Sequence, residues 1–295
     1  MIELNIGTRG SDLALFQANL VKQKLADIGL RTNIITIRTK GDAIQNRSLQ
    51  SLGTGIFTKA LDDALLRGEI DVAIHSMKDV PTVLPSKLIA LAVLERGFDD
   101  DVLIVNDRSS RVVATGSIRR KAQWLKRYPN DVITDLRGNV DTRISKVKTS
   151  QWKGGIFAKA GLVRLNKKIE LDQSVSLDWM IPAPAQGAIV VIGRKGEPEI
   201  QKLIHRLNHL ESSLAVSIER TFLNTLEGGC AAPIGARAVV HGQQVKFIGC
   251  LTSPDGKEEV RIEKESNEAA PELGVFWARE LLDAGGAEIM KQLKN

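Results

Sequence analysis

Two cysteines, Cys230 and Cys250, are too few to build a disulfide framework in a chain of 295 residues, so stability must come from buried apolar cores. Aromatic residues are also scarce, at 4% with a single tyrosine. That makes scarce the stacking platforms on which single-stranded nucleic acids usually rest. No apolar run reaches the roughly 18 residues of a membrane-spanning helix, because charged or polar residues break every candidate. Nothing like a signal peptide precedes Asn5-Ile6-Gly7, which makes a soluble, cytoplasmic protein the expectation. Dinucleotide fingerprints and P-loops are absent; Gly53-Thr54-Gly55 lacks their spacing. His205 and His209 stand at i and i+4, but no glutamate follows His205 and no cysteine lies near. No metal is expected.

What the chain does have is 43% hydrophobic residues, enough for two or three domains with cores of their own. Its formal net charge of +6 would suit a nucleic acid, an anionic surface or a polyanionic small molecule. The placement of that charge favours the small anion. Basic residues recur singly or in pairs beside Gly, Ser and Thr, as in Thr8-Arg9-Gly10-Ser11 and Gly116-Ser117-Ile118-Arg119-Arg120, where strands hand over to helices.

Apolar periodicity predicts a strand over 2–7, a helix over 12–28 carrying Leu13, Phe16, Leu20 and Leu25, and a second strand over 33–38. The polar stretch 40–55 is long for a compact domain and reads as a lid before a helix near Phe57. A buried strand over 71–74 ends in His75-Ser76-Met77-Lys78-Asp79-Val80-Pro81, which places a lysine and an aspartate at the carboxyl end of a strand, where open α/β sheets bind ligands. A second alternation runs from Val102 to Ile181, with helices over 117–127 and 139–149. Pro182-Ala183-Pro184-Ala185-Gln186-Gly187 breaks the pattern before a strand over 188–192 and helices through Leu226. From Ala236, two or three strands precede a helix over 268–282. The division expected is a discontinuous first α/β domain (1–95 and 187–208), a second α/β domain (96–186) and a small α+β third domain (209–295).

Three groups of residues carry the chemistry. Arg9, Lys78, Arg119, Arg120, Arg137 and Arg143 lie at strand-to-helix junctions, where a guanidinium can join backbone N–H groups and a hydroxyl, Ser11 or Ser117, to hold a carboxylate or phosphate. Any one of them alone reads as a solvated surface charge. Asp79 is the sole acid in its basic loop; it either pairs locally or stabilises a cation in a cleft. Cys230, in Glu227-Gly228-Gly229-Cys230-Ala231-Ala232-Pro233-Ile234-Gly235, is either a small buried hydrophobe or a displayed attachment point.

Together the segments Ile6-Gly7-Thr8-Arg9-Gly10-Ser11, His75-Ser76-Met77-Lys78-Asp79-Val80-Pro81, Gly116-Ser117-Ile118-Arg119-Arg120, Leu136-Arg137-Gly138-Asn139-Val140 and Glu227-Gly228-Gly229-Cys230 resemble, in order, those of the porphobilinogen deaminase (hydroxymethylbilane synthase) family. The resemblance implies two α/β domains like type II periplasmic binding proteins, plus a small α+β domain bearing a cofactor cysteine. It implies a transferase of tetrapyrrole and haem biosynthesis, monomeric and cytoplasmic. A dipyrromethane, joined by a thioether at Cys230, would prime the head-to-tail condensation of four porphobilinogen molecules with loss of ammonia. Water would then release hydroxymethylbilane. Cofactor binding would fall to Lys78, Ser76, Thr115, Ser117, Arg119, Arg120, Arg137 and Gly138, substrate binding to Arg9, Ser11, Gln17, Arg143, Arg164, Gln186 and Phe57, and catalysis to Asp79.

The chain departs from the family pattern in three places. Thr54 replaces a lid lysine, Ala185 replaces the first glycine of a Gly-Gln-Gly crossover, and Glu95-Arg96-Gly97-Phe98-Asp99-Asp100-Asp101 keeps the Glu-Arg pair but lacks the usual Asp-Pro-Arg-Asp-Ala run. The rival readings are an anion receptor of the same fold without catalysis, which has no use for a displayed thiol, and nucleic-acid binding through net charge, which predicts steep salt dependence.

Overall fold

The computed structural model describes residues 3–38, 58–226 and 232–294. The expected lid, Phe57 and Cys230 lie outside the described residues.

Three sheets organise the described chain. The first joins β1 (Glu3–Thr8), β2 (Arg31–Thr36), β3 (Val72–Ser76), β4 (Leu88–Val93) and β10 (Ile189–Arg194) in the order β2-β1-β3-β10-β4. β1 runs parallel to β2 and β3, whereas β10 is antiparallel to both its neighbours. The second sheet joins β5 (Asp101–Val105), β6 (Val112–Ala114), β7 (Val132–Thr134), β8 (Gly154–Ala158) and β9 (Ser174–Ser176) in the order β7-β6-β8-β5-β9. It repeats the first plan: three parallel strands, then one antiparallel strand. Each sheet thus takes its antiparallel strand from beyond a crossover, and the segments between β4 and β5 and between β9 and β10 run from one sheet to the other. The third sheet is an antiparallel meander of β11 (Ile234–His241), β12 (Gln244–Thr252) and β13 (Glu259–Ser266).

Strand alternation sends side chains to both faces of each α/β sheet, so both must be covered. Ile189 and Val191 of β10 pack with α1 (Asp12–Asp27), while Val190 and Ile192 pack with α2 (Lys59–Arg67). In the second sheet Val102 and Ile104 join the core of α4 (Val140–Lys148), and Leu103 joins Trp124 of α3 (Ile118–Arg127). The third core gathers Phe222 of α8 (Leu210–Thr225), Phe247 of β12 and Trp277 of α9 (Leu273–Leu281). The mixed α/β class with a small α+β end unit is the one expected.

Two local expectations need correction. α1 buries Gln17, Ala18, Val21 and Leu25 with Leu20 packed partly beside them, but leaves Phe16, counted with that stripe, 39% exposed. The buried face instead includes Gln17, whose amide donates to the Ser76 hydroxyl at 2.8 Å. The last long helix starts at Leu273 rather than near 268, because Pro271 disfavours helical backbone at the residue before it. Among the described residues no helix is long and apolar enough to cross a membrane.

Candidate active site at the sheet edges

The site is built from junctions. Ser11, Ser117 and Asn139 are extended N-cap residues of α1, α3 and α4, accepting from the N–H groups of Ala14, Arg120 and Thr142. Capping orients the first turn of each helix and fixes the arginines beside it. β6 leads through Thr115, whose hydroxyl accepts from Ser117 N at 3.2 Å, into α3 and its Arg119-Arg120 pair. β7 leads through Arg137 and Gly138 into α4. Gly138 has φ +115, and a Cβ there would stand 2.7 Å from Thr142, so this turn requires glycine. β3 ends in the single turn Met77–Asp79, leaving Asp79 exposed at the strand's carboxyl end.

A hydrogen-bond chain ties the two α/β sheets together. Lys78 Nζ donates to Gln186 Oε1 at 3.2 Å, and Gln186 Nε2 donates to Asp101 Oδ1 at 2.9 Å and to the Asp99 carbonyl at 2.7 Å. Asp101 also accepts Arg119 Nη2 and Arg120 Nη2, each at 2.7 Å. The remaining Nη groups of the two arginines bind the carbonyls of Ile181 and Ile156. Asp101 is wholly buried. Burial alone would raise its pKa, but the two guanidiniums outweigh that and hold it well below the carboxylate range.

Around this chain the charge is crowded. Burial, reinforced by Arg120, lowers the Lys78 ammonium to about 8. Burial, with Arg120 and Arg137 nearby, lowers Arg143 to about 10. Asp79 opposes both shifts, which places it within electrostatic reach of Lys78 and Arg143. Arg143 Nε donates to the Gly138 carbonyl at 2.7 Å and Arg137 Nε to Asp135 at 2.9 Å. His75, behind the turn, is kept neutral: burial, with Arg9 nearby, drops its pKa to about 4.

The family profile described as "Porphobilinogen deaminase, dipyromethane cofactor binding domain" matches residues 4–202, and "Porphobilinogen deaminase, C-terminal domain" matches residues 213–283. The chain belongs to the porphobilinogen deaminase family. Porphobilinogen deaminase of Pelotomaculum thermopropionicum is 40% identical over 99% of this chain and 97% of its own. That of Syntrophomonas wolfei is 41% identical over 100% of both. The probable porphobilinogen deaminase of Methanocaldococcus jannaschii is 39% identical over 92% of this chain and 97% of its own. Among solved structures, the L-cystine solute receptor of Neisseria gonorrhoeae aligns with 74% of this chain and 90% of its own at 10% identity and a TM-score of 0.41. At that distance the likeness carries no functional weight.

Within this family member, Lys78, Asp79, Arg119, Arg120, Arg137, Arg143 and Gln186 converge through the contacts and fields above. Arg9 acts on His75 at the end of β3, and Gln17 reaches the same strand through Ser76. Arg164 stands apart from that charge cluster, with Nη2 on the Gly187 carbonyl at 2.6 Å. Two residues not expected from the sequence hold the site from behind. Asp101 is one. The other is Glu219, wholly buried, which accepts Arg96 at 2.6 and 3.1 Å and the N–H groups of Ala185 and Ala238, each at 2.6 Å. The only sequence signal for Glu219 was a lone acid among apolar neighbours on a helix; the run Asp99-Asp100-Asp101 reads as a solvated surface.

Proposed function

We propose that this chain is a hydroxymethylbilane synthase, a transferase that condenses four porphobilinogen molecules head to tail on a covalent primer and releases the linear tetrapyrrole by hydrolysis. Family membership supports the reaction. The observation that carries it here is the charge of the strand-end cluster: Lys78, Arg119, Arg120, Arg137 and Arg143 lie within electrostatic reach of Asp79, Asp101 and Asp135, a group of five cations and three carboxylates. Burial first, and this crowding second, depress Lys78 and Arg143, and a bound polyanion would offset the crowding. Acetate and propionate side chains on every pyrrole supply that charge.

The same excess fits a dipyrromethane. The buried Nε–H groups of Arg119 and Arg120 meet no acceptor among the described residues, and donors of this kind favour bound carboxylates. Lys78, Ser76, Thr115, Ser117, Arg119, Arg120, Arg137 and the Gly138 backbone would hold it, with Cys230 as its anchor. When bound, the group supplies a free pyrrole α-carbon as the nucleophile for the first condensation. Arg9, Ser11, Gln17, Arg143, Arg164, Gln186 and Phe57 would bind incoming porphobilinogen. Asp79 stabilises the cation left as porphobilinogen loses ammonia and orients the pyrrole N–H for attack. Lys78, fixed by Gln186, keeps that carboxylate in a positive field.

The units would divide at 1–95 with 187–208, 96–186 and 209–295, the strands of each sheet falling within one of them. A cytoplasmic monomer completes the reading. Asp79→Asn keeps the shape and loses the charge, so kcat should fall about 10²–10³-fold, the scale for removing one preorganised electrostatic partner, with an unchanged melting temperature. Release of hydroxymethylbilane near the unsubstituted rate would remove Asp79 from the chemistry.

A further inference from the structure

The loop that carries Asp79 is gripped from another unit. Arg220, in α8, sends Nη1 to the Val80 carbonyl at 2.9 Å and to the Met77 carbonyl at 3.4 Å, and Nη2 to the Pro81 carbonyl at 2.5 Å. These three carbonyls bracket Asp79 on both sides. The turn is also held by backbone bonds, Met77 N to the Ala188 carbonyl at 3.0 Å and Val80 N to the Met77 carbonyl at 3.2 Å, and by Lys78 Nζ on Gln186 Oε1 at 3.2 Å. Pro81 contributes no N–H.

The far end of the same helix matters as much. α8 starts at a His209 cap, packs on β11 and α9, and ends at Thr225, five residues before Cys230. One helix therefore reaches the Asp79 turn with its Arg220 side chain and precedes Cys230 by five residues in the sequence. A planar guanidinium suits this task because its fixed fork can meet several carbonyls at once, which an ammonium on a flexible stem does less well.

We propose that Arg220 is a positioning residue: it sets the Met77–Pro81 turn, and with it the Asp79 carboxylate, at a fixed place relative to the helix that precedes Cys230 in the sequence. This rests on the synthase reading for its consequence, though the grip itself does not. A carboxylate displaced by about 1 Å can lose on the order of 10²-fold in rate, while the carboxylate-binding arginines stay in place. Removing Arg220 should therefore lower kcat and leave KM nearly unchanged.

The test uses the full chain with its covalent cofactor, unsubstituted and as Arg220→Gln and Arg220→Lys. Hydrogen exchange at the Val80 amide should quicken at least about tenfold in Arg220→Gln, with the β3 amides of Val72 to Ile74 unchanged. Its kcat should fall about 10- to 100-fold with KM within about threefold, and Arg220→Lys should recover part of both losses. Unchanged Val80 exchange overturns the proposal, as does faster exchange with an intact kcat. Should Arg220→Gln fail to fold, the same readouts on Arg220→Lys decide. If the unsubstituted protein does not consume porphobilinogen, the synthase reading fails, and the exchange comparison still judges the grip.

Discussion

At Asp101 one carboxylate pairs with two arginines that the sequence assigned wholly to ligand, balancing half their charge. Removing its charge leaves two buried guanidiniums with nothing to balance them, and breaking such an arrangement costs about 3–5 kcal/mol. Asp101→Asn should show a loss of that order in denaturant unfolding. Its folded pKa lies below the unfolded value, so the stabilisation is present above roughly pH 4 and lost only as pH falls through the folded value. The gap between the two proteins should stay flat from about pH 5 to 8; a gap that opens only above neutrality would contradict the assignment. The arginines were legible because they stand at strand-to-helix junctions beside glycine and serine. Their partner was not, since three consecutive aspartates look solvated until a fold buries the third at the start of a strand. Cys250 sits as a buried thiol, with burial pushing its pKa to about 12.

At the scale of elements, the crossover 182–188 shows two neighbouring backbone positions with opposite tolerance. Ala185 has φ +63 and is fully buried. Replacing it with glycine relieves about 1 kcal/mol of left-handed strain but gives up a buried methyl worth about 0.8 kcal/mol and loosens the unfolded chain. Ala185→Gly should thus be near neutral, within about 1 kcal/mol. Gly187 has φ +86, and a Cβ there would meet the carbonyl oxygens of Phe98 and Gly97 at 2.6 and 2.8 Å. Those belong to the paired crossover, with Gly97 N on the Gly187 carbonyl at 3.2 Å, and cannot both retreat. Gly187→Ala should cost about 2–4 kcal/mol from strain and overpacking together, and should disturb Gln186 and hence Lys78. Equal melting temperatures for Gly187→Ala and the unsubstituted protein would refute this. The Pro-Ala-Pro-Ala-Gln-Gly composition announced a break in the sequence, but its pairing with residues 94–100 is a long-range contact that composition does not encode.

Across the whole molecule, Glu219 joins what the chain order separates: Arg96 and Ala185 on the two crossovers and Ala238 on the third sheet. Asp99 adds Arg237 to the same junction at 2.9 Å. Glu219→Ala leaves Arg96 with the longer Asp99 contact at 3.7 Å and strands two buried N–H groups, so it should destabilise by about 3–5 kcal/mol; calorimetry that finds less than about 1 kcal/mol would show the units held mainly by apolar packing. The α/β alternation was readable because each strand is an apolar run bounded by turn residues, and the third sheet because its strands alternate. How the units meet was not, because it depends on single buried polar residues. The cation-rich cluster and Asp79 have their role only with a primer on one sulfur, and intact-mass measurement of the purified protein and of Cys230→Ser tests that most directly. Produced in cells that supply porphobilinogen, the unsubstituted protein should exceed its sequence mass by one dipyrromethane, and Cys230→Ser should not. An unmodified mass for the unsubstituted protein would contradict the account and favour a receptor that binds anions without transforming them.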